Sequence, residues 1–244
     1  QTRIGSVIDR YIPPIDVDGA TLFIARNQQE IREFLYTDVE QAYSSTDLAL
    51  LSRHVIKEPL DQDYDKKRRL LFIARSDGRF ATLTVYRAEQ VAAWTVHETL
   101  GNVKSISVVG DTVYLLVERN GNYLIEVFDD ESFMDSALSG SSIEGALSWS
   151  GLDHLEGQYV DVLADDIRLD PQLVTGGNIT LASPAHKVMI GLSFTHIIEP
   201  LPPNIISESG GGRAIRLVEA LFRMEETQAL RLDVGRGLQD VPLK

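Results

Sequence analysis

The stretch Leu22-Phe23-Ile24-Ala25-Arg26 returns, residue for residue, as Leu71-Phe72-Ile73-Ala74-Arg75, an offset of 49 residues (22 to 71). Each copy runs into a polar turn and a second extended segment. In the first, Asn27-Gln28-Gln29 leads into residues 30–36; in the second, Ser76-Asp77-Gly78 leads into residues 79–86. A looser third copy runs from Val113 to Arg119, turns at Asn120-Gly121-Asn122 and returns from Tyr123 to Phe128. Asp-Gly and Asn-Gly supply the positive φ that matches hairpin twist, so the last two copies are hairpins on turn chemistry alone. A hairpin unit written three times makes the chain mainly β.

A spacing of roughly 40–50 residues per β unit is that of propeller blades. One small sheet cannot bury its faces alone, so neighbouring sheets must stack. Two further strand candidates, residues 90–97 and 103–109, lie between the second and third copies. Three copies fall short of the roughly 4–8 blades of a closed propeller. The expectation is therefore a partial set of propeller-like blades over residues 1–130, with any missing blades before Gln1 or elsewhere in the chain. Ser44-Ser45-Thr46-Asp47 offers helix N-caps, and Leu48, Leu51 and Val55 recur at helical spacing, which predicts one short helix ending at Ile56. His54 falls on it beside Arg53 and reads as structural, since no carboxylate or nucleophile is placed to work with it.

Beyond the blades, residues 131–150 are rich in Ser, Gly and acids and read as a linker. Short strand candidates then follow at 158–163, 172–175, 178–181, 187–190 and 194–198, with turn signals at Gly176-Gly177 and Ser183-Pro184. They predict a small β-barrel or β-sandwich domain over 151–200. Pro200-Leu201-Pro202-Pro203 and Gly210-Gly211-Gly212 mark a second linker, 201–212. In the closing segment, 213–244, Leu217, Leu221 and Met224 suit a helix, while the apolar density of 213–226 also permits a strand; Gly235 and Gly237 read as a turn.

Composition narrows the function classes. The 244 residues carry 23 basic and 36 acidic side chains, a formal charge of −13, which disfavours binding to phosphate backbones. With no cysteine, the chain has no disulfide framework, thiolate metal site or cysteine nucleophile. No apolar run approaches a membrane span and no signal-peptide pattern opens the chain, so no membrane insertion is expected. Gln1 in place of an initiator Met, and the ending Asp240-Val241-Pro242-Leu243-Lys244, read as cuts through a longer chain.

The motifs that carry chemistry fail one by one. Gly140-Ser141-Ser142-Ile143-Glu144 lacks the closing glycine of a nucleophile elbow. Gly235-Arg236-Gly237 meets Asp240 where a third glycine of a dinucleotide loop would fall. His97-Glu98 has no second histidine, and His54, His97, His154, His186 and His196 show no ligand spacing. Asp61-Gln62-Asp63-Tyr64-Asp65 resembles half a calcium loop, but Lys66 replaces the glycine and Phe72 the bidentate Glu, so it reads as a solvated, mixed-charge turn. Asp129-Asp130-Glu131, Asp165-Asp166 and Glu225-Glu226 are paired acids best explained as surface turns. Trp94 and Trp149 have the rings to stack on sugars, but Trp94 lies in an apolar strand and reads as core. No catalytic, cofactor-binding or metal residue is assigned, no cofactor is expected, and the chain reads as a non-enzyme.

One resemblance remains. Leu22 to Arg26, residues 33–36, Tyr43 to Leu48 with Leu51 and His54, Leu71 to Gly78 and Val91-Ala92-Ala93-Trp94 carry its first half. His154-Leu155-Glu156-Gly157, Val160 to Asp165, Gly177-Asn178-Ile179-Thr180-Leu181 and Gly191-Leu192 carry its second. From about Gly19 to Gly237 this series resembles bacteriophage and prophage virion proteins, including the tail tubular or nozzle proteins of short-tailed phages. The resemblance implies a propeller with added β-domains, assembled as a homo-oligomeric ring, a hexamer, at the distal end of a phage tail. It also implies a virion subunit made in the bacterial host cytoplasm, docking an adaptor and fibres, with a lumen that passes DNA during ejection without specific nucleic-acid binding. It makes residues 213–226 a strand. The rival expectations are a receptor- or polysaccharide-binding tail module acting as a depolymerase, and a host propeller serving as a protein-interaction platform.

Overall fold

The structure is a computed structural model that describes residues 7–9, 11–37, 42–86, 89, 91–199, 218–224 and 230–242. It is nearly all β, with a single 3-10 turn, Asp153–Leu155, and no α-helix among the described residues. The chain divides into two compact units, Gln1–His196 and Ile197–Lys244.

In the first unit, hairpins written locally in the sequence become sheets of strands in consecutive order. The first sheet runs β1 (Ile15–Val17), β2 (Ala20–Ile24), β3 (Ile31–Thr37), β4 (Ala42–Asp47); the second runs β5 (Pro59–Asp65), β6 (Leu70–Arg75), β7 (Phe80–Tyr86), β8 (Val91–His97). The third has three strands, β9 (Asn102–Val109), β10 (Thr112–Arg119) and β11 (Asn122–Phe128), with β10 in the middle. These are blade-like meanders, and all their pairings are antiparallel.

The repeated pentapeptide explains the stacking. Successive strand residues point to opposite faces, so an uninterrupted apolar run suits a strand covered on both sides. Leu71 and Ile73 join Leu22, Ile24 and Ile31 in a cluster between the first and second sheets. Phe72 and Ala74, on the opposite face, join Phe80 and the Val103, Ile106, Val113, Leu115 and Val117 side chains of the third sheet. The second sheet is thus the middle layer of three, and equivalent positions of the two copies, Leu22 with Leu71 and Ile24 with Ile73, share the same core.

The helix predicted from Ser44 to Ile56 does not form. Ser44, Ser45 and Thr46 lie in β4 and pair with Leu35, Phe34 and Glu33 of β3. Residues 48–55 form successive turns, in which the Ser52 and Val55 N–H groups donate to the Ala49 and Ser52 carbonyls three residues back. The sheet edge competes for the segment that would have been the first helical turn, and the Asp47 carboxylate accepts from Ala49 N–H at 3.0 Å, which fixes a turn instead.

Residues 131–150 are also not a linker: β12 (Asp135–Ser150) fills most of them and pairs with β15 (Asn178–Leu192). With β13 (Tyr159–Ala164) and β14 (Ile167–Leu173), they form a fourth sheet in the order β12-β15-β13-β14, open at both edges and not closed into a barrel. The small residues that imitate a linker serve packing, since a Cβ on Gly140 would stand 2.8 Å from the Trp149 ring. Ser183-Pro184 falls inside β15, where the register with β12 shifts around Ala146, because Pro184 has no N–H to give the ladder. Residues 178–181 and 187–190 therefore belong to one strand, and residues 194–198 form none.

In the second unit β16 (Leu230–Leu232) pairs antiparallel with β17 (Gln239–Val241). Asp233 caps the intervening turn, accepting from the N–H groups of Gly235, Arg236 and Gly237. Residues 218–224 are neither helix nor strand. The Pro- and Gly-rich stretches at 200–203 and 210–212, together with residues 213–217, lie outside the described residues. Among the described residues no helix is long and apolar enough to cross a membrane.

Candidate functional site

The 154–157 turn and the Gly176-Gly177 turn meet in one clasp on the fourth sheet. The 3-10 turn buries Leu155 in that sheet's core, among Leu152, Val160, Val162, Ile179 and Leu181. This aims the Glu156 carboxylate at the Gly176-Gly177 turn, where it accepts from Gly177 N–H at 2.7 Å and Gly176 N–H at 3.0 Å. Those two N–H groups hold its pKa below the ordinary carboxylate value. Gly177 has φ +69, and a Cβ there would lie 2.5 Å from Asp153 Oδ1, so only glycine fits.

A second carboxylate works in the same way. Asp165 and Asp166 are the two-residue turn between β13 and β14, with φ of 46 and 64, as a primed hairpin turn requires. Asp165 reaches β15, accepting from His186 N–H at 3.0 and 3.1 Å and Lys187 N–H at 2.8 Å, which depress its pKa. Carboxylates whose lone pairs are taken by backbone donors are stable anions. Their shifts run opposite to what a general acid at neutral pH needs. The clasp orders loops.

The aspartates of 61–65 are the sharpest departure from the sequence reading. They lie on strand β5, where a spacing of two puts Asp61, Asp63 and Asp65 on one face. That face looks at β9. Asp61 accepts from Ser105 Oγ and from Ile106 N–H at 3.1 Å, and Asp63 accepts from Val108 N–H at 2.6 Å. Asp65, fully buried, accepts from Arg68 Nη1 at 2.7 Å and from Lys67 N–H at 2.8 Å. Alternate carboxylates thus take the place of a backbone ladder and stitch the second sheet to the third. Half a calcium loop and a solvated turn are both replaced by an inter-sheet seam.

The other candidates disperse. His54 is exposed on the turns after β4, and His154 Nε2 and His186 Nδ1 lie 3.0 and 3.3 Å from the Ser136 and Ser142 carbonyls. His97 stacks on Phe80 with ring centroids 4.6 Å apart and lies 2.9 Å from Thr82 Oγ1; burial and the neighbouring His196 lower its pKa. Among the described residues no three His, Asp or Glu side chains are grouped to hold a metal ion. Asp130 pairs with Arg68 at 2.6 Å, and Glu225-Glu226 lies outside the described residues. Trp94 packs on the first core and donates to the Leu48 carbonyl, while Trp149 packs on the fourth sheet's core. No protein-family model matches the chain, and no curated protein does.

Proposed function

We propose that this chain is a structural subunit of a bacteriophage tail, a nozzle or tail-tube ring component that lines part of the DNA ejection conduit and docks other tail proteins. What supports this reading is the use made of the resembling motif. Glu156 accepts from the Gly176 and Gly177 N–H groups and His154 lies against the Ser136 carbonyl, so the polar groups of this segment are spent on fixing backbone. Conserving shape rather than presenting reactive groups is the task of a virion scaffold. Three sheets in face-to-face layers, the second and third joined by carboxylate stitches, suit a wall that must carry load. The formal charge of −13 suits a conduit, because acidic walls repel the phosphate backbone and let DNA slide.

Electron microscopy of the purified full-length protein, with antibody labelling of intact virions, tests the reading. The expected result is a ring with an axial hole and label at the distal end of the tail. A monomeric closed propeller, with no label on particles, overturns it.

A further inference from the structure

We infer that β11 is a self-pairing edge, along which two copies of this chain join antiparallel about Ile125. This pairing does not depend on the tail reading. The first and second sheets each have four strands and the third has three, so β11 ends its sheet one strand early. Among the described residues its backbone hydrogen bonds run only to β10, in an even register from Val113↔Phe128 to Arg119↔Asn122 without a bulge. Tyr123, Ile125 and Val127 point to one face and are 64, 76 and 53% exposed.

Exposed edges are normally blunted by proline, bulges or free charges. β11 has no proline, and its one charge, Glu126, is neutralised by Arg119 at 2.6 Å. The sequence of the strand then selects both partner and register. Residues directly opposite one another in an antiparallel pair share a face. Pairing centred on Ile125 sets Ile125 against Ile125 and Tyr123 against Val127, all from the exposed face, and sets Leu124 against the neutralised Glu126. Moving the centre by half a residue would set exposed Ile125 against Glu126 and break both faces. Moving it by a whole residue, to Leu124 or Glu126, keeps the faces but pairs only residues 122–126 or 124–128, and the second sets Glu126 against Glu126; the centre at Ile125 alone pairs the whole strand. A seven-residue edge buries less than the roughly 1,200 Å² of a stable interface, so the dimer is weak and concentration-dependent.

Because the chain contains no cysteine, single cysteines read the register directly. Under mild oxidation Ile125→Cys should form an interchain disulfide at least about tenfold faster than Ile143→Cys, a more solvent-open control at 98% exposure against 76%, because pairing raises the local thiol concentration. Tyr123→Cys and Val127→Cys should each behave like the control alone and cross-link when mixed. In sedimentation, the unmodified chain should gain average mass with concentration and Ile125→Lys should not. Control-like rates for Ile125→Cys, fast cross-linking of Tyr123→Cys by itself, or a monomer at every concentration would overturn the pairing.

Discussion

His97 shows how one side chain ties two sheets to pH. Its ring lies flat on Phe80 and edge-on to Phe128 at 6.1 Å, which places an imidazole in the apolar seam between the second and third sheets. Burial there disfavours the charged form, and the nearby His196 adds to the effect, so its pKa falls below the ordinary value of about 6.5. The unfolded chain then takes up a proton at a higher pH than the folded one. Stability from this group is fully present above about pH 6.5 and is lost as pH falls through the window beneath it. Urea midpoints measured from pH 7.5 down to pH 5 should decline, and His97→Phe, which keeps the stack and removes the titration, should flatten that part of the slope. An unchanged slope in the variant would show that His97 is not its source.

At the scale of elements, the alternate carboxylates of β5 have a cost that can be measured. Asp63→Ala leaves the Val108 N–H at the seam without its acceptor, which costs about 1–3 kcal/mol. Asp63→Asn keeps an oxygen in place and should lose clearly less, a comparison made by equilibrium denaturation; equal losses would show that the N–H is not held by Asp63. This seam also marks where the sequence stops being legible. The hairpins of β6-β7 and β10-β11 were readable because Asp77-Gly78 and Asn120-Gly121 encode their turns within a few residues. The role of Asp61 and Asp63 depends on β9, more than 40 residues away in sequence. β12 was hidden for another reason: its Gly140 is kept small by the ring of Trp149 farther along the same strand, so its composition imitates a linker. The strand-ending turns after Asp47 imitated a helix because Leu48, Leu51 and Val55 have helical spacing whether or not the backbone uses it. The clasp was half visible, with Gly176-Gly177 plain as a turn and Glu156 as its anchor unpredictable without the fold.

On the scale of the whole molecule, identical pentapeptides occupy unequal places. Phe72 is fully buried between the second and third sheets, edge-on to Phe128 at 5.2 Å and packed with Phe80. Phe23, its counterpart 49 positions earlier, faces away from the shared core but is also buried, at 9% exposure. The same face of the first sheet carries Phe34, stacked on Tyr43 at 4.9 Å, and the half-exposed Tyr36 and Tyr43. Phe72→Ala therefore opens a cavity in the middle of a three-layer stack and should cost about 3–5 kcal/mol. Phe23→Ala empties a site beside the half-exposed Tyr36 and Tyr43, where the surroundings can close in more freely, and should cost less, about 1–3 kcal/mol. Thermal or chemical denaturation ranks the two, and equal losses would mean that the outer face of the first sheet relaxes around the missing ring no better than the middle of the stack.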